Sequence, residues 1–241
     1  WTSVTSTNPD GTYTRTDSWA SYEYNADGFL IGAKGGAATW GEDLFGNIYI
    51  AKRTDTYEII LGEAKVIYSA SLTNSKNLDG SINTSIGMMH YIYDETGILI
   101  DADSNGTISF DKFSLDEGQL DKNDLDYIQT WITDGDFSDY LTLVDTNGDG
   151  VNDAINISAS SLSLGEDVFG NPFESVAINT YVIVGGEAKI ETALTTTDAT
   201  AFDGAITHTV NTISYEYTNG TETREEQFVT RQKQLMNLQK K

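Results

Sequence analysis

The residues best placed to do chemistry lie between Leu143 and Ser158, in the stretch LVDTNGDGVNDAINIS. Asp145, Asn147, Asp149 and Asp153 stand at positions 1, 3, 5 and 9 of a loop with Gly150 at position 6, and the carbonyl of Val151 falls at position 7. A hard cation takes about six to eight oxygens from a sharply turned backbone. This spacing supplies most of them, so the loop is expected to bind Ca2+. A second acidic stretch offers Asp101, Asp103, Asn105 and the carbonyl of Thr107, with Gly106 at position 6. There position 9 is Ser109 and position 12 is Lys112, so Asp111 or the pair Asp116 and Glu117 would have to complete the set.

The flanks say what must hold these loops. Leu141 to Val144 and Ala154 to Ser158 alternate as strands do, so calcium at Asp145 would staple a hairpin rather than two helices. Between the loops the period changes. Leu125, Ile128, Trp131 and Ile132 share one helical face, and Asp121 can cap its start, which predicts a short helix over 121–133 with Trp131 as its anchor. The cluster from Asp134 to Asp139 has no motif spacing and reads as a solvated loop.

The rest of the chain repeats itself. GEDLFGN at 41–47 recurs as GEDVFGN at 165–171, and Tyr57 with GEAK at 62–65 recurs as Tyr181 with GEAK at 186–189, all displaced by 124. Asp10-Gly11, Asp79-Gly80 and Asp203-Gly204 each lead to a Tyr-x-Tyr, at Tyr22, Tyr91 and Tyr215. The first two of these lie 69 apart and the last two 124, so a 55-residue insertion lies between Tyr91 and Gly165, and both acidic loops fall inside it. Each unit reads as about four strands joined by Asn/Asp/Gly turns. The expectation is an all-β antiparallel meander or sandwich built from a duplicated unit of about 69 residues. It has a first unit over 1–78 and a second over 79–220, which ends in a lone closing strand and carries the insertion at about 101–160. On this reading the fold rests on the duplicated units, and the insertion is a local accessory element.

Tyr22-Glu-Tyr-Asn-Ala-Asp-Gly-Phe-Leu and Tyr91-Ile-Tyr-Asp-Glu-Thr-Gly-Ile-Leu resemble the YD repeats of bacterial cell-surface proteins, with pattern Y-x-Y-D-x-x-G-x-L. The loop at Asp145 resembles the D-x-N-x-D-G-x-x-D calcium loops of dockerins, FG-GAP propeller repeats and thrombospondin type 3 repeats. These resemblances imply a tandem extracellular β structure.

Composition narrows the function. Formal net charge is -23, and residues 101–160 hold fourteen Asp plus Glu against two Lys. Such an acidic body excludes nucleic acid or anionic lipid as its main partner. There is no cysteine, so stability outside a cell would come from packing or metal, which points to a bacterial or archaeal surface. No apolar run is long enough to span a membrane. The chain opens on Trp1, as a processed product or a fragment would. Residues 221–241 turn basic, with Phe228, Leu235, Met236 and Leu238 as their few apolar positions, and are expected to form a helical tail. His90 and His208 stand alone, and neither a Ser/His/Asp arrangement nor a Cys nucleophile is readable. The leading reading is a non-catalytic surface-layer, adhesin or filament subunit that contacts neighbouring repeats or copies of itself. The second is a glycan-binding module using Trp1, Trp19, Trp40 or the tyrosines as platforms. An enzyme acting on glycosides through paired carboxylates ranks third.

Overall fold

The structure, a computed structural model, describes residues 1–8, 11–109, 137–218, 221–223 and 231–235. Among these every regular element is a strand, which makes the chain all-β and antiparallel. The helix expected over 121–133 with Trp131, the proposed ligand Asp111, the pair Asp116 and Glu117, and residues 134–136 of the acidic cluster lie outside the described residues.

One 12-stranded sheet organises the molecule. β1 (Thr2–Thr7), β2 (Tyr13–Tyr24), β3 (Leu30–Glu42), β4 (Ile48–Ile60), β5 (Glu63–Lys76) and β6 (Ile82–Tyr93) follow one another as a meander. After β6 come β7 (Leu99–Asp103) and the insertion strands β8 (Gly106–Ser109), β9 (Leu141–Val144) and β10 (Ala154–Ile157), which form a separate sheet in the order β8-β10-β9. The main sheet then resumes with β11 (Ser161–Glu166), β12 (Pro172–Val184), β13 (Glu187–Thr200) and β14 (Ile206–Ser214). β15 (Glu216–Thr218) and β16 (Thr221–Thr223) make a small hairpin, and β17 (Arg231–Leu235) closes the sheet against β14.

Local chemistry explains the meander. The strands are rich in Thr, Tyr, Ile and Val, which suit a pleated surface. Apart from the two-residue turns at Leu61-Gly62 and Gly185-Gly186, the turns between the long strands share one form. In the β3–β4 turn the Gly46 N–H donates to the Asp43 carbonyl at 3.0 Å and the Asp43 N–H to the Asn47 carbonyl at 3.0 Å. Gly170, Asp167 and Asn171 repeat this 124 residues later at 3.0 and 2.9 Å. Gly46 has φ 79 and Gly170 φ 76, the left-handed conformation that closes a three-residue hairpin loop. Each turn aspartate also accepts the next N–H groups along the loop. Asp43 Oδ1 takes Phe45 and Asn47 at 2.8 and 3.0 Å, and Asp167 Oδ1 takes Phe169 and Asn171 at 2.8 and 2.9 Å.

Pairing registers recur at the spacings of the sequence repeat. The β4–β5 and β12–β13 ladders both shift register, between Thr56 and Tyr57 and between Thr180 and Tyr181, 124 residues apart. The β2–β3 ladder runs without a shift from Tyr13↔Glu42 past Ser18↔Ala37 and Ser21↔Lys34 to Glu23↔Gly32, and shifts register only at its last pair, Tyr24↔Leu30. In the next unit the same place is filled by two strands: β6 pairs Ile82↔Glu166 to Gly87↔Ser161 with β11, then His90↔Asp103 to Tyr93↔Leu99 with β7. The insertion therefore leaves the sheet in the middle of what is a single strand in β3. The seam is held by main chain and hydroxyls. The Met88 N–H donates to the Ser160 carbonyl at 3.3 Å, the Ser160 N–H donates to Ala177 at 2.9 Å, and the hydroxyls of Ser104 and Ser160 lie 2.6 Å apart.

The core sits where the insertion folds back. Ala70, Leu72, Ile86, Met88 and Leu162 of the main sheet meet Phe137, Leu141, Ile155, Ile157 and Ala159 of the insertion. The insertion thus supplies half of this buried cluster, which corrects the expectation that it is an accessory. The sheet has one layer, and a single layer cannot bury its own face. The opposite face carries a row of small residues in register, Thr16, Thr39, Ala51, Thr73, Ser85 and Ser163, of which all but Ala51 bear hydroxyls.

The tail also departs from expectation. Its described residues, Thr221–Thr223 and Arg231–Leu235, are strands rather than helix. With Val229 the tail has five apolar positions in 21 residues, a thin helical stripe, whereas β14 offers an edge of unpaired main chain. β17 pairs Ile206↔Leu235 to Val210↔Arg231, the register of Tyr13↔Glu42 to Asp17↔Ala38 displaced by 193. β14 is therefore not the last strand of the sheet.

Candidate metal loops and the adjoining cleft

The loop from Asp145 to Asp153 closes the β9–β10 hairpin, whose last pair is Val144↔Ala154. The Asp153 N–H donates to the Val144 carbonyl at 3.0 Å and extends the ladder one step into the loop. Gly148 at φ 78 and Gly150 at φ 85 make the tight path. The Asp145 carboxylate accepts the N–H of Gly148 at 2.6 Å and of Gly150 at 2.8 Å. Asn147 Oδ1 accepts the Asp149 N–H at 2.9 Å, and Asp149 Oδ1 accepts the Val151 N–H at 2.8 Å. Asp153 is buried at the base of the loop, where it accepts the N–H of Thr146 at 2.7 Å and the Thr146 hydroxyl at 2.8 and 2.9 Å.

This donor set is all oxygen, which suits a hard cation, and a carboxylate offers about four lone-pair sites, so each acid keeps acceptor capacity beyond these bonds. The side chains are turned onto the loop's own N–H groups rather than toward one point. Among the described residues no three His, Cys, Asp or Glu side chains are gathered as a metal ion needs.

The first acidic stretch takes another form. Asp101 and Asp103 lie within β7, and Asp103 accepts the Asn105 N–H at 2.8 Å. Thr107 sits in β8. Gly106, read from spacing as the turn glycine of a metal loop, is not in the left-handed region. Packing requires it instead: a Cβ there would run into the ring of Tyr68 and come within 2.9 Å of the Met88 sulfur. Asp103 is engaged by His90, whose Nδ1 lies 3.2 Å from Asp103 Oδ1, and the His90 ring stacks on Tyr68 with centroids 4.4 Å apart. His208 Nδ1 likewise lies 2.6 Å from Asp198 Oδ1. Both pairs sit directly across neighbouring strands, so the histidines that stand alone in sequence each face an aspartate. Only the register could have revealed this.

Beside the insertion lies a cleft of about 520 Å³, lined by Ser21, Glu23, Lys34, Thr56, Tyr68 and Thr107 among others. Sequence reasoning did not find it, because it exists only where β8 overhangs β2 to β5. Of the proposed platforms, Trp1, Tyr22 and Tyr24 are exposed, while the indole N–H of Trp19 is buried. Arg15 sits 5.5 Å over the Trp40 ring, a cation-π contact, and also pairs with buried Asp17 at 2.6 Å. The Ser3 hydroxyl and the Arg15 guanidinium hold the Asp17 carboxyl below its ordinary range. Burial raises the Tyr57 and Tyr91 phenols, helped by the charge of Asp55 beside both.

At the sheet end formed by the turns after β3, β5, β11 and β13, Phe45, Leu78, Phe169 and Phe202 project into solvent, Phe202 at 92% exposure. The Leu78 N–H donates to Asn47 Oδ1 at 2.9 Å and ties two of these turns together. Compared with protein-family models, curated proteins and solved structures, the chain matches none of them.

Proposed function

We propose that the chain is a non-catalytic structural protein of a bacterial or archaeal cell surface, a surface-layer, adhesin or filament subunit built from a duplicated β unit. The observation that carries this reading is the recurrence of pairing register at 69, 124 and 193 residues along one open sheet. An enzyme needs a pocket around reacting groups, whereas a sheet that adds like strands in like register is a scaffold that extends. The apolar turn tips from Phe45 to Phe202 supply contact surface of the kind that folded monomers seldom leave bare.

Calcium is part of the proposal. Asp145, Asn147, Asp149, Asp153 and the Val151 carbonyl would hold it, at the expense of bonds such as that from Thr146 to Asp153. A cation bound only by the folded form stabilises it by mass action, about 2.7 kcal/mol at one hundred times its dissociation constant. A second reading, glycan binding, draws on the tyrosines Tyr22, Tyr57, Tyr91 and Tyr181, which sit near one another across alternate strands.

Imaging the purified protein across calcium concentrations tests the first reading, with filaments or lattices expected. Monomers throughout, with affinity for a polysaccharide, would favour the second. Thermal unfolding that is the same in excess chelator and in millimolar calcium would remove calcium from either.

A further inference from the structure

We infer that the outer edge of β1 is an acceptor for an antiparallel strand of the β4 kind, supplied by a further unit of the same design. The inference rests on the structural reading above and names the surface and the partner through which the sheet grows.

Among the described residues β1 pairs only with β2, and all six of its residues are exposed. Edge strands in folded proteins are ordinarily blunted by lysine, proline, a bulge or a covering element. Thr2–Thr7, TSVTST, has no charge and no proline, and its pairing with β2 runs without a register shift. In a chain of net charge -23 this edge is built to be met.

The register says by what. β1 pairs from Thr2↔Ser18 to Thr7↔Tyr13. Displaced by 69, this is the β5–β6 pairing from Ser71↔Gly87 to Lys76↔Ile82. Displaced by 193, it is the β13–β14 pairing from Thr195↔Asn211 to Thr200↔Ile206. β1 therefore stands where the second half of β5 and of β13 stand. On those two strands the opposite edge is taken by β4, from Arg53↔Ser71 to Ile48↔Lys76, and by β12, from Ala177↔Thr195 to Phe173↔Ala199. Both occupants put an aromatic residue, Tyr49 or Phe173, opposite the position of Ser6, and a small one, Ala51 or Ser175, opposite that of Val4. Each aromatic ring fills the space a side chain would take at Gly41 or Gly165 of the preceding strand, β3 or β11.

Direct joining of two copies, β17 of one to β1 of the next, does not meet this requirement. Every pair along the path is antiparallel and β1 and β17 are its first and eleventh strands, so they run the same way. One strand of the opposite direction has to lie between them.

The chain has no cysteine, so single-cysteine variants give an unambiguous readout. Val4→Cys in the full chain is mixed, in a thiol–disulfide buffer, with a synthetic peptide of residues 47–60 carrying either Ala51→Cys or Ile50→Cys. Opposed residues meet disulfide geometry, and a slip of one residue turns the thiol to the other face, so capture of the Ala51→Cys peptide should exceed the other by at least about tenfold. To exclude a failure caused only by disorder of the free peptide, residues 47–60 are also joined ahead of Trp1 by a flexible linker. Amide exchange within Thr2–Thr7 should then slow by about tenfold or more. Equal capture of both peptides, or neither capture nor protection, overturns the inference. A disulfide-linked dimer of Val4→Cys chains formed in preference to peptide capture overturns it in favour of a second copy's β1. If the edge captures nothing while filaments still form, this edge is lost and the structural reading survives. If it captures its strand while the chain stays monomeric in every condition, the structural reading is the one that fails.

Discussion

Ile155→Ala tests where the stability of this sheet resides. Ile155 is 0% exposed and lies in the cluster shared by the insertion and the main sheet. Truncation to Ala removes about three methyl or methylene groups at about 0.8 kcal/mol each, and the cavity left behind adds to this, for a total of about 3 to 4 kcal/mol. Ile50, 43% exposed on β4, is the control, and its truncation should cost about 1 kcal/mol or less. Urea unfolding is followed by far-ultraviolet circular dichroism, which reports the whole sheet. With a slope of about 3 kcal/mol per molar urea, Ile155→Ala should lower the midpoint by about 1 M, and Leu72→Ala, from the other layer of the same cluster, by a similar amount. If Ile155→Ala leaves that midpoint where Ile50→Ala leaves it, the insertion is an accessory after all and the shared core is refuted.

Three further outcomes follow from particular groups. The turn carboxyls of Asp43, Asp94 and Asp167 are held below their ordinary range by bonds from Asn47, Thr96 and Asn171. Carboxyls depressed in this way stabilise the fold above the unfolded pKa of about 4, and that stability is lost as pH falls through the folded values. Self-repulsion at net -23 eases toward the isoelectric point near 4.1. Melting temperature should therefore rise slightly from pH 7 to about 5 and drop below about 4, and a monotonic fall from pH 7 would contradict this. The Thr54 hydroxyl is buried without a hydrogen-bond partner among the described residues, so Thr54→Val should stabilise by about 1 kcal/mol in chemical denaturation. Gly106→Ala drives a methyl into Tyr68 and Met88 and should cost about 1 to 3 kcal/mol, whereas Asn105→Ala beside it, exposed, should cost less than about 1.

Much of the scaffold was legible because its turns carry chemistry. Asp43, Gly46 and Asn47 recur as Asp167, Gly170 and Asn171 because that turn needs an acceptor, a left-handed residue and a donor at fixed offsets. Strands that depend on main chain alone were not legible. In register, β1 shares only Ser6 with the matching half of β5, and β17 has nothing in common with β3, since a ladder of N–H and C=O groups accepts almost any side chain. This is why the tail looked helical. The metal loop was legible as spacing, but spacing does not say which way a carboxylate turns, and Asp153 turns to Thr146. Alternation at Leu141 to Val144 and Ala154 to Ser158 identified strands without saying that Leu72, Ile86 and Leu162 would face them.

The place where the insertion joins explains how the second copy of the sequence repeat can differ from the first without breaking the sheet. An insert in a turn would push adjacent turns apart at the sheet end, where Leu78 bonds to Asn47 of the turn beside it. Here the chain leaves between Asp103 and Ser161, and β6 still pairs on both sides of the gap. Ser104 and Ser160 close the gap with small hydroxyl side chains, and the Tyr181 hydroxyl stands 3.4 Å from Ser104, as the Tyr57 hydroxyl stands over Gly35 in the uninterrupted strand. The described part of the insertion packs on one face, where it buries Leu72, Ile86 and Leu162, while the Thr and Ser rows of the other face and the edge at β1 keep their form. On the proposed reading, in which the sheet meets like units along its edges, it can be thickened in this way without changing what those edges recognise.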